Sequence, residues 1–87
     1  PSKESREKGN YDILFFADLE EKSIEARVTG DMDPGYGSTS KMIAESALCL
    51  VQDCPDLAGG IYTPAPSMGE KLIDRLIKKA GLTFDIV

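Results

Sequence analysis

The sequence predicts an α+β fold of four strands and two helices in the order β-β-α-β-α-β. They would form one mostly antiparallel sheet with both helices packed on it. Three observations point there. Residues 11–29 hold two strand-like runs joined by a short polar connector. Two later segments carry apolar residues at helical spacing, and short β-prone runs bounded by glycine or proline follow the first helix and end the chain.

The first run, Tyr11 to Leu19, has the continuous apolar centre Ile13-Leu14-Phe15-Phe16, the pattern of a strand covered on both faces. The second, Ser23 to Thr29, alternates. Ile24, Ala26 and Val28 point one way, and Glu25, Arg27 and Thr29 the other. Glu20-Glu21-Lys22 between them has hairpin length. Asp31 to Gly37 reads as a loop. Ser38, Thr39 or Ser40 can then cap a helix running to about Gln52. That helix is apolar around most of its circumference, with a narrow polar stripe of Lys41, Glu45, Ser46 and Gln52. It demands burial on more than one side, hence a neighbour beyond this segment.

Gly60 to Thr63 suits a short strand that stops at Pro64 and Pro66. Ser67 and Glu70 fit a capping box for a second, amphipathic helix. Its inner stripe is Met68, Leu72, Ile73, Leu76, Ile77 and Ala80. Lys78 and Lys79 suit its negative end, and Gly81 suits its exit. Leu82 to Val87 is the closing strand, with Leu82, Phe84 and Ile86 on one face.

With 87 residues the chain fits one domain. A domain of that size buries only about 60–65% of its unfolded surface. Residues 1–10 carry mixed charges, begin with Pro1 and read as a linker or cut end. Residues 11–87 form the domain. The net charge of −5 argues against nucleic acid and anionic membrane as partners. No apolar run approaches the roughly 20 residues that span a bilayer. Cys49 and Cys54, five positions apart on one expected helix, would point in different directions. They read as two reduced, buried thiols in a cytoplasmic protein. With no histidine in the chain, neither a Cys2His2 metal site nor a Cys–His nucleophile can be built.

The segment richest in possible chemistry runs from Gly30 to Lys41. Glycines, hydroxyls and a lysine gather at a helix start, where bare amides carry partial positive charge. An anionic or other small-molecule substrate could meet Asp33, Gly35, Tyr36, Gly37, Ser38, Thr39 and Lys41. The same residues also make an ordinary glycine-rich turn with a helix cap. The loop matches neither a Walker A motif nor Gly-x-Gly-x-x-Gly. Asp31 and Asp33, two apart, could act together in acid–base or cation chemistry, or bond their own backbone as turn residues. No catalytic set is complete, so catalytic residues stay unassigned.

Several blocks in order resemble one family. They are Gly30-Asp31-x-Asp33-Pro34-Gly35-Tyr36-Gly37-Ser38-Thr39-x-Lys41-Met42, Glu45-x-Ala47-Leu48-Cys49-Leu50, Gly59-Gly60-Ile61-Tyr62-Thr63-Pro64-Ala65, Met68-Gly69, Leu72-Ile73-x-Arg75-Leu76 and Ala80-Gly81-Leu82-Thr83-Phe84. The family is the saccharopine-dehydrogenase-like oxidoreductases, which include trans-acting enoyl reductases. The resemblance implies a carboxyl-terminal domain fragment, not catalytic alone, that binds no cofactor itself. Its parent would hold an amino-terminal Rossmann domain binding NADP or NAD, and a homo-oligomer is expected. Two other readings stay open: a self-contained dimerisation module, and a free-standing anion-binding domain.

Overall fold

The computed structural model describes every residue, Pro1 to Val87. The order is α1 (Lys3–Lys8), β1 (Tyr11–Leu19), β2 (Lys22–Gly30), α2 (Gly37–Leu48), a π-helical turn (Cys49–Asp53), α3 (Pro64–Lys79) and β3 (Leu82–Ile86). The sheet is antiparallel, with β2 between β1 and β3.

The hairpin forms as its alternation predicts, with Leu19 opposite Lys22 and Tyr11 opposite Gly30. Ile13 and Phe84 flank Val28, and Phe15 and Ile86 flank Ala26, so one face collects these apolar residues. The helices lie on that face. Leu76, Ala80 and Leu82 are buried there against Val28, Met42, Leu72 and Phe84. A second cluster, Cys49, Cys54 and Met68, joins the first through Leu72. Fully burying one such leucine stabilises by about 1.5–3 kcal/mol. On the opposite face Arg27 pairs with Asp12 at 3.2 Å, and the Thr29 and Thr83 hydroxyls bond across the strands.

The structure differs from the expected fold in four places. The sheet has three strands, not four. Gly60 to Thr63 pairs with nothing, because Pro64 opens α3 directly after it and the segment has no neighbouring strand. The capping box does not form. Ser67 lies inside α3, where its hydroxyl donates to the carbonyls of Thr63 and Pro64. The helix breaks instead at Gly69, whose φ of 51° and ψ of −132° suit only glycine. The first ten residues hold α1, capped by the Ser2 hydroxyl, where a linker was expected. Finally, β1 is not covered on both faces. Ile13 and Phe15 on the helical side are 45% and 52% exposed, and Leu14 and Phe16 on the other are 40% and 67% exposed.

Little of the chain is enclosed, since only 9 of 87 residues are buried. The radius of gyration is 14.9 Å, against about 12 Å for a compact chain of this length. The hairpin end of β1 and β2 extends past the helical layer. On the outer side of α2 and the π turn, Ile43 and Val51 are mostly exposed.

Candidate functional site

The loop from Gly30 to Lys41 is held by one side chain. The Asp33 carboxylate accepts hydrogen bonds from the amides of Gly35, Tyr36 and Gly37 at 3.1, 2.8 and 2.8 Å. Its carbonyl accepts from the Ser38 amide at 2.7 Å. These amides, chiefly those of Gly37 and Tyr36, hold the Asp33 carboxyl below the usual carboxylate range. Asp33 therefore fills the place an external anion would take at the start of α2.

The other residues singled out in this loop are also engaged. Ser38 is fully buried, and its hydroxyl shares a 2.7 Å hydrogen bond with that of Tyr11. The Tyr11 ring lies over Gly30, where a side chain would collide with it. Thr39 donates its hydroxyl to the Pro34 carbonyl at 2.6 Å. Lys41 pairs with Asp31 at 2.7 Å, so the two aspartates serve separate contacts rather than one site. Asp31 also packs against Gly81, whose φ of 71° makes the exit from α3. Beneath the loop, the Asp33 amide donates to the Arg6 carbonyl, tying it to α1. Tyr36 is the large residue left outside, 65% exposed. The loop is thus a rigid, self-bonded platform that presents one aromatic ring to solvent.

A second constellation lies where the π turn meets α3. The Arg75 guanidinium donates to Asp53, Glu45 and Gln52, each at 2.9 Å. The Arg75 and Glu45 side chains are only 14% and 16% exposed. This fork holds the Asp53 carboxyl low and raises the guanidinium further above its ordinary value. Beside it runs an open, charged groove of about 370 Å³ lined by Asp53, Lys71, Asp74, Arg75, Lys78 and Lys79. Sequence reasoning missed the fork, because its four members come from three elements and no local pattern links them. The one available signal was Glu45 and Gln52 on the polar stripe of an otherwise apolar helix.

The π turn also moves the thiols. A helix of 3.6 residues per turn would separate Cys49 from Cys54, whereas π-helical spacing aligns positions five apart. Both thiols are free and buried in one cluster. Burial first, then the neighbouring Cys54, pushes the Cys49 thiol up from its ordinary value.

Three relatives bear on this arrangement. A trans-acting enoyl reductase of Mycobacterium tuberculosis is 38% identical over 79 residues, which is 87% of this chain and 19% of the relative. One of Mycobacterium ulcerans is 32% identical over 78 residues, again 87% of this chain and 19% of the relative. The chain is homologous to part of these oxidoreductases. A saccharopine dehydrogenase-like oxidoreductase of Bos taurus is 40% identical over 58 residues, which is 63% of this chain and 13% of the relative. The chain thus spans about a fifth or less of the length of these oxidoreductase relatives. No family model matches it, and no solved structure does.

Proposed function

We propose that this chain is a carboxyl-terminal substrate or assembly domain of a saccharopine-dehydrogenase-like, NAD(P)-dependent oxidoreductase. The observation that carries the reading is the asymmetry of the homology: it takes in 87% of this chain but only 19% of the mycobacterial relatives. The sparse core agrees with a domain built to pack against more protein. In this reading the dinucleotide sits in an amino-terminal Rossmann domain of a longer, cytoplasmic chain, and the hydride chemistry belongs to that cofactor. The Asp33–Lys41 platform forms one wall of the cleft between domains. Tyr36 supplies an aromatic contact to the small-molecule substrate, and the Lys41–Asp31 pair lies at the rim.

An NADPH titration followed by cofactor fluorescence tests this on the 87-residue chain and on the full-length natural product in parallel. Binding by the product but not by the 87 residues is the expected result. Binding by neither sinks the reading. In the full-length product, Tyr36→Ala is expected to raise KM with a smaller change in kcat, since the ring lies outside the fold's own contacts. Unchanged kinetics would remove Tyr36 from the cleft.

A second reading, a self-contained dimerisation module, is favoured by the exposed Ile43, Val51 and Phe16. Sedimentation of the 87-residue chain separates the two: a tight dimer that never binds cofactor in any context selects the module.

A further inference from the structure

We propose that the free edge of β1 is a docking edge, which accepts a strand from polypeptide of the same natural chain lying outside these 87 residues. The added segment also covers the face that carries Leu14 and Phe16. The inference rests on the longer-chain reading above and names the surface through which it would be realised.

Hairpin geometry identifies the groups involved. A two-residue turn makes its flanking residues, Leu19 and Lys22, a hydrogen-bonded pair, and such pairs then alternate along the ladder. Asp12, Leu14, Phe16 and Asp18 consequently aim their amides and carbonyls away from β2. On the far side of the Phe16 pair, the Glu25 carbonyl accepts from Val87 beyond β3, as this alternation requires.

Edges of isolated sheets are commonly blunted by lysine, proline, a bulge or short length. β1 has none of these. Its nine pairs run without a break, and its charges, Asp12 and Asp18, flank an uncharged centre from Ile13 to Ala17. The opposite edge, β3, is five residues long and carries Asp85 near its end. The centre of β1 exposes apolar side chains on both faces, so its occupant must supply both a strand and a covering layer.

A second copy meets only half of that requirement. Antiparallel pairing of β1 with its own copy needs a two-fold axis perpendicular to the sheet. Both helical layers then fall on the same face, and Leu14 and Phe16 stay bare in each copy. Polypeptide from the remainder of a longer chain has no such restriction. The mycobacterial relatives, of which this segment matches 19%, have ample length for it.

Amide hydrogen exchange at Leu14 and Phe16 tests the proposal, on the 87-residue chain and on the natural product whose length is set by intact mass. Protection increased by about 100-fold or more in the longer product is expected. Leu14→Lys and Phe16→Lys should lower the melting temperature of that product while leaving the 87-residue chain nearly unchanged. Unprotected Leu14 and Phe16 amides in a product that binds NADPH would overturn the docking edge and leave the oxidoreductase reading standing. Protected amides in a product that binds no NADPH would support the edge and remove the oxidoreductase reading. A natural product of only 87 residues, or protection that rises with concentration and is accompanied by cross-links between copies, would overturn the proposal.

Discussion

The Arg75 guanidinium lies 2.9 Å from the Glu45 carboxylate and 2.9 Å from that of Asp53, so one side chain joins α2, the π turn and α3. Lysine carries the same charge but cannot present three donors in a plane. Arg75→Lys is therefore expected to lower the melting temperature, and Arg75→Ala to lower it further, with Glu45 left nearly enclosed and unpaired. Thermal unfolding by circular dichroism measures both. Equal melting temperatures for wild type and Arg75→Lys would show that charge alone suffices.

Acid should act on this fold through Asp53 and Asp33. Arg75 depresses the Asp53 carboxyl, and the Gly37 and Tyr36 amides depress that of Asp33. Both folded values lie below the ordinary 3.8, so the stability they confer is complete above about pH 5 and is lost as the carboxyls protonate at lower pH. Stability against urea should fall below about pH 4. Asp33→Asn should be less stable at neutral pH and show a shallower acid limb, because its cap has no charge to lose. An unchanged acid limb would assign the effect elsewhere.

Tyr11 and Ser38 form a pair suited to a double-mutant cycle. Tyr11→Phe leaves the buried Ser38 hydroxyl without its partner and should cost about 1–2 kcal/mol. Ser38→Ala removes that hydroxyl. The double variant should therefore cost less than the two single changes together, with a coupling of about 0.5 kcal/mol or more in urea melts. Additive effects would mean that the two hydroxyls do not depend on each other.

Thiol labelling reports opening of the second cluster. Cys49 and Cys54 are buried, and the Cys49 thiol is pushed up by that burial, so a neutral alkylating reagent should modify them slowly at pH 7 and completely in denaturant. Rapid modification under native conditions would place the π turn among the readily opened parts of the chain.

Much of this architecture was legible in local pattern. The alternation of Ile24, Ala26 and Val28 identified β2, and the stripe through Leu72, Leu76 and Ala80 identified the buried side of α3. Pattern misled where a contact outside the local window decides the outcome. A run such as Gly60 to Thr63 has the composition of a strand, but pairing needs a neighbour that the fold does not bring to it. Ser67 and Glu70 have the spacing of a cap, yet Pro64 starts the helix a turn earlier and Gly69 breaks it between them. In the candidate site, the glycines and hydroxyls marked a structured helix start. That Asp33 would occupy its amides was not decided by spacing, since an internal carboxylate and an external anion satisfy the same geometry. The apolar circumference of α2 correctly implied a neighbour, and Ile43 and Val51 remain uncovered in the 87-residue structure.

The π turn at Cys49–Asp53 can be seen as a frameshift in the helix, one residue more than an α-helical path would use. Cutting out a single exposed residue such as Val51 would remove that surplus without touching the core directly. Everything beyond the cut would then rotate by about 100° relative to α2. Asp53 would swing away from Arg75 while Glu45 stayed, and Cys54 would leave Cys49. The chain could keep its composition and nearly all its residues and still lose the one clasp that registers its two long helices. Length at this position is therefore under tighter physical constraint than the identity of the side chain that occupies it.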